Sequence, residues 1–140
     1  MARFYFGAEG TGKLVRDNID ALIQAQGHNV ESRKIDQEKL AGLIMGKYSE
    51  ELTELADAVK SGDRKKIVEE LADLRSLALS LQGLLKISDK EVNVVEENKS
   101  AKKGSFTKGT FIEYVELSPD GEEFDYWIDY FRGNDKYTEK

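Results

Sequence analysis

From Asp36 to Ser88 the apolar residues recur every three or four positions, the spacing that collects them on one side of an α-helix. In DQEKLAGLIMGKYSEELTELADAVKSGD the stripe is Leu40, Ile44, Tyr48, Leu52, Leu55 and Val59. Asp36 is placed to cap its start, and SGD, Ser61 to Asp63, to end it. RKKIVEELADLRSLALSLQGLLKIS repeats the pattern with Ile67, Leu71, Leu74, Ala78, Leu81 and Leu85. So short a break predicts an antiparallel helix pair. Upstream, RFYF (Arg3 to Phe6) reads as a short strand or an extended arm. KLVRDNIDALIQAQGHN then predicts a helix built on Leu14, Ile19, Leu22 and Ile23 and stopped at Gly27. Downstream, DKEVNVVEENKSAKK predicts a helix capped at Ser88 or Asp89 and stopped by Gly104. The period then changes. GTFIEYVELSPDGEEFDYWIDYFRG holds two aromatic, β-prone runs around the turn signal SPDG, which predicts a β-hairpin. A terminal helix is the rival, because Phe124, Trp127, Ile128 and Phe131 also fit helical spacing. The expectation is one mainly α domain over residues 1–140, with a helical core at 13–106 and a C-terminal extension at 107–140, either hairpin or aromatic tail.

The acids break this pattern. With roughly 100° per residue and Tyr48 as zero, Ile44, Leu52, Leu55 and Val59 lie within roughly 40°, and Glu51 at roughly −60° borders them. Glu54 follows along the same edge at roughly −120°, while Glu50 at roughly 200° reads as a solvated acid. On the third helix, with Leu71 as zero, the apolar arc runs from roughly −20° to −120°; Glu70 at roughly −100° falls inside it and Asp73 at roughly −160° on its rim. Glu69 points away. Two neighbouring helices thus each carry a pair of acids three residues apart, the first member in or beside the packing face. A lone buried carboxylate is costly and tends to protonate. Facing carboxylates repel, and a divalent cation such as Mg²⁺ or Mn²⁺ resolves both problems through oxygen ligation. EELTEL and EELADL are each also ordinary helix text; it is their register on adjacent helices that singles them out.

Composition narrows the function. The net charge of −6 opposes general nucleic-acid binding. The absence of cysteine excludes disulfides, thiolate zinc sites and cysteine nucleophiles, and a single histidine, His28, disfavours a histidine-rich metal site. No run is long enough to span a membrane, and MARFYFGAEG lacks a signal-peptide apolar region, so a soluble cytoplasmic protein is expected.

KYSEELTEL followed by EELADL resembles the E-x-x-E … E-x-x-D signature of MazG-like all-α nucleoside triphosphate pyrophosphohydrolases. The matching residues are Glu51, Glu54, Glu70 and Asp73. KLVRDNI, Lys13 to Ile19, is similar to a segment of the phosphoribosyl-ATP pyrophosphohydrolase-like branch, and the likeness runs from about Lys13 to Phe106. The resemblance implies a MazG-like helical bundle, working as a homodimer or homotetramer. It also implies Mg²⁺-dependent cleavage of the α–β phosphoanhydride of a nucleotide, giving a monophosphate and pyrophosphate, with removal of non-standard or excess nucleotides as a typical role. The four acids would be both metal ligands and catalytic groups. Lys13, Arg16 and Lys47 are the leading candidates for meeting substrate phosphates, with Asn98, Lys99 and Lys102 behind them. Tyr126, Trp127 and Tyr130 either stack on a base or pack the tail.

Two rivals stand beside this reading. GAEGTGKL, Gly7 to Leu14, nearly matches a phosphate-binding P-loop, but its last position is Leu14 where a Mg²⁺-binding hydroxyl is needed, and the alternating strands of a parallel sheet are missing. A P-loop enzyme would release orthophosphate. A non-enzymatic helical interaction protein would show no specific stabilisation by Mg²⁺ or Mn²⁺.

Overall fold

A computed structural model describes all residues, 1–140. The chain forms five helices and no strand: α1 (Ile19–Ala25), α2 (Gln37–Ser61), α3 (Arg64–Leu84), α4 (Asp89–Lys103) and α5 (Phe124–Arg132). Its contacts divide it into two compact units, Met1–Asn98 and Lys99–Lys140.

The α2–α3 pair is the scaffold of the first unit, and the junction between them is chemically explicit. Gly62 adopts the left-handed conformation (φ 72°) that ends α2, donating to the carbonyls of Ala58 and Val59. The next residue, Asp63, caps α3 by accepting from the Lys66 N–H at 3.2 Å. This two-residue turn folds α3 back on α2, as the short break predicts. The inner line of α2 is Leu40, Ile44, Tyr48, Glu51, Leu55 and Ala58, and that of α3 is Ile67, Glu70, Leu74, Leu77, Leu81 and Leu84. On α2 this is a rotation of roughly 50° from the stripe expected at Tyr48. Leu52 and Val59, expected inside, are 54% and 59% exposed, and Ala58, a small residue that lets the helices approach, is buried. Glu51 therefore lies in the middle of the packing line rather than on its border.

α1 is shorter than expected. It starts after Asn18, and Asp20 in its first turn accepts from the Ala21 N–H at 2.7 Å and the Ser32 hydroxyl at 2.9 Å. Residues 13–18 approach without helix, so Lys13 and Arg16 share no helical face and are free to reach different helices. α4 opens on a capping box: the Glu91 N–H donates to Ser88 Oγ at 3.2 Å, and the Ser88 N–H donates to Glu91 Oε2 at 2.7 Å. Ser88 is thus its cap, and Gly104 follows its last residue. No helix is long and apolar enough to cross a membrane.

The β-hairpin is not formed. The turn at SPDG exists, with the Gly121 N–H donating to the Ser118 carbonyl at 2.9 Å, but the run after it is α5. Phe124, Ile128 and Phe131 are its half-buried residues, and their i, i+4, i+7 spacing decides for helix over strand. RFYF is exposed and forms no strand. The P-loop reading fails on the same grounds: Gly7–Leu14 follows no strand, and the next helix begins only at Ile19.

Candidate metal centre

Glu51 is the only charged residue of the chain that is buried, at 7% exposure. α2 delivers it to the inner line and α3 delivers Glu70 to the same layer. One carboxylate oxygen from each of Glu51, Glu70 and Asp73 lies within 4.8 Å of the others. Glu54, one turn further along α2, is exposed and stands outside this triangle, yet it is near enough to Glu70 to influence its proton.

Outside the acid pair itself, Glu51 Oε2 and Glu70 Oε2 are buried and find no hydrogen-bond donor. Such orphaned oxygens are uncommon in protein interiors and carry a desolvation cost. The Glu70 carboxyl is pushed from the ordinary value of 4.5 up to about 7, first by hydrogen bonding with Glu51, then by burial, then by Glu54. Crowding of the acids thus favours the protonated form of Glu70. Three or four clustered hard oxygens, two lacking any donor, fit a divalent cation such as Mg²⁺ or Mn²⁺.

Cations edge the layer. Lys47 Nζ is 3.5 Å from Glu51 Oε1 and 3.6 Å from Glu50 Oε2. Lys13 Nζ donates to Glu50 Oε1 at 2.5 Å. Arg16 Nη2 donates to Asp73 Oδ1 at 2.6 Å. The structure therefore brings Lys13, Arg16 and Lys47 to the acids. Asn98 and Lys99 are exposed on α4, and no hydrogen bond or ion pair ties Asn98 to the acids.

Glu50 is the residue that sequence reasoning missed. Rather than an isolated solvated acid, it accepts Lys13 on one oxygen and faces Lys47 with the other, and Lys13 draws its pKa down. The i, i+3 spacing from Lys47 is the one signal in the sequence; the approach of Lys13, 37 positions away, leaves none. Glu50→Gln should release Lys13 and cost the fold at most about 1 kcal/mol, the worth of a partly exposed ion pair. Thermal melts of the variant check this; a loss of several kcal/mol would contradict a surface pairing.

The model of the phosphoribosyl-ATP pyrophosphohydrolase family matches residues 15–96. That stretch carries Arg16, Lys47 and all four acids; Lys13, Asn98, Lys99 and the C-terminal unit lie outside it. No curated protein and no solved structure matches the chain. With more than half its length matched, including the helices that build the acid layer, the chain belongs to the phosphoribosyl-ATP pyrophosphohydrolase family, within the MazG-like all-α branch.

Proposed function

We propose that this protein is a metal-dependent nucleotide pyrophosphohydrolase that cleaves a nucleoside triphosphate, or a related nucleotide, to the monophosphate and pyrophosphate in the cytoplasm. The observation that carries the reading is the pair of buried, donor-less oxygens of Glu51 and Glu70 within a cluster of acids. Glu51, Glu54, Glu70 and Asp73 would hold the metal, Mg²⁺ or Mn²⁺. When bound, a divalent cation neutralises phosphate charge and makes water a better nucleophile. The chain's own residues do the remainder. Lys13 and Lys47, held beside the acids by Glu50, and Arg16 on Asp73 would meet the phosphate oxygens, with Asn98 and Lys99 as weaker candidates. The water oxygen adds to the α-phosphorus, the bond from that phosphorus to the bridging oxygen breaks, and pyrophosphate departs. A carboxylate of the layer takes the water's proton. Free nucleotides rather than nucleic acid suit a chain of net charge −6.

A panel of nucleoside triphosphates with pyrophosphate detection, with Mg²⁺ and with chelator, tests this. Metal-dependent pyrophosphate release from at least one supports it; orthophosphate release, or no hydrolysis and no thermal stabilisation by Mg²⁺ or Mn²⁺, overturns it.

Self-association is part of the same reading. Leu52 and Val59 on α2, Val68, Leu71 and Leu79 on α3, and Leu85 just after it are between 47% and 59% exposed. Fully covering such a side chain is worth roughly 1.5–3 kcal/mol. A second copy packed on α2 and α3 covers them, and a homodimer or homotetramer is expected. Light scattering at micromolar concentration should return a multiple of 15.8 kDa; a monomer mass contradicts it.

A further inference from the structure

The C-terminal unit holds a cleft of about 410 Å³ lined by Lys102, Lys103, Glu123, Tyr126 and Trp127. None of these residues takes part in the acid layer, and only α4's two lysines fall on an element the sequence pattern placed in the helical core.

The cleft is built rather than incidental. Trp127 stacks on Phe131 (centroids 5.6 Å apart, planes at 22°) and meets the edges of Tyr126 at 5.1 Å and Tyr130 at 5.7 Å. Tyr137 packs against Phe131 at 4.9 Å, and Arg132 pairs with Glu139 at 2.8 Å, so the end of the chain folds back on α5 and fixes its rings. Rings fixed in advance cost little to order when a ligand arrives. With these neighbours in place Trp127 is still 40% exposed and Tyr126 56%. Glu123 enters the cleft from a left-handed backbone (φ 56°), a conformation that costs a non-glycine residue energy and concentrates at ligand sites.

The lining defines a ligand. Two exposed indole and phenol surfaces favour a planar ring. Two lysines in the lining favour an anion, and one carboxylate favours a ring bearing N–H donors. Lysines in a last helical turn also offset the helix dipole, but that alone does not require aromatic rings beside them. The volume falls in the range of small-ligand pockets. Glu122, Asp125 and Asp129 on the same segment oppose a long polyanion such as a nucleic-acid strand. We propose that this cleft binds a mononucleotide, its base stacked on one of Trp127 and Tyr126 and met edge-on by the other, its phosphate at Lys102 and Lys103, and a base N–H donating to Glu123.

Trp127 is the chain's single tryptophan, so its fluorescence reports on the cleft alone. The full chain in excess chelator is titrated with adenosine, guanosine and uridine monophosphates, with adenosine, and with inorganic phosphate. Saturable quenching by at least one monophosphate is expected, with a midpoint at least about fivefold lower than for adenosine or phosphate. Replacing both lysines, Lys102→Ala with Lys103→Ala, should raise the midpoint about tenfold while circular dichroism and the unliganded emission stay unchanged. Glu70→Gln should leave the titration unaltered, which separates this cleft from the acid layer. No quenching at millimolar nucleotide, an equal response to inorganic phosphate, or a midpoint indifferent to the two lysines overturns the proposal. Tighter binding of a single-stranded oligonucleotide than of any mononucleotide overturns it as well. Trp127→Leu, followed by calorimetry, gives a second reading: loss of nucleotide heat supports the site, and retained heat contradicts it.

Discussion

Glu70→Gln should lower pyrophosphate release roughly a hundredfold or more, the scale on which removing a group that stabilises transition-state charge acts. Glu69→Gln should leave it nearly unchanged. The substitutions are chemically identical and one helical step apart, but Glu70 sits in the acid layer and Glu69 is solvent-exposed. The metal-free protein should show the opposite ranking in stability. Glu70 in the folded chain titrates near 7 instead of 4.5, so it binds its proton more tightly folded than unfolded. Its stabilising contribution is full below the ordinary carboxylate value and is lost as pH rises through about 7. In chelator, Glu70→Gln should therefore gain melting temperature relative to the native chain as pH climbs from 5 to 8, because it has no such proton to lose; saturating Mg²⁺ should erase or reverse that gain. Parallel melting curves for the two proteins across this range, or equal activity of Glu69→Gln and Glu70→Gln, would remove the basis for a metal at these acids.

Arg16→Ala should raise KM about tenfold, because one charge-assisted contact to a phosphate is worth roughly 1.5 kcal/mol. The same change should cost the fold at most about 1 kcal/mol, since the Arg16–Asp73 pair lies at the surface, with side chains 60% and 37% exposed. Arg16→Lys should recover only part of the affinity, as an ammonium lacks the planar fork. If Arg16→Ala instead melts early while its folded fraction keeps native kinetics, the guanidinium serves Asp73 structurally and never meets substrate.

The helices were legible because their signals are local. Gly62 and Asp63, Ser88 and Glu91, and the three-to-four spacing along α2 and α3 are readable without any partner. The acid layer was legible for a related reason: a carboxylate at an apolar phase stands out, and Glu70 lies where the phase puts it. Glu51 was placed on the border of the stripe, about half a helical step (roughly 50°) from where it lies. The stripe drawn through Leu52 and Val59 merged two apolar surfaces, the one facing α3 and one left exposed, and a sequence does not separate them. The tail was misread because aromatic residues favour strands while their spacing at Phe124, Ile128 and Phe131 favours a helix; burial of those three settles it. Glu50 escaped because its partner Lys13 arrives from a non-helical segment, where helical phase gives no direction.

Hydrolysis in ¹⁸O-labelled water tests the proposed reaction most directly. With Mg²⁺ and a nucleoside triphosphate that the protein accepts, mass spectrometry should find the label in the nucleoside monophosphate and none in pyrophosphate, with turnover lost in chelator and in Glu70→Gln. Label appearing in orthophosphate, or turnover that persists without a divalent cation, would contradict it.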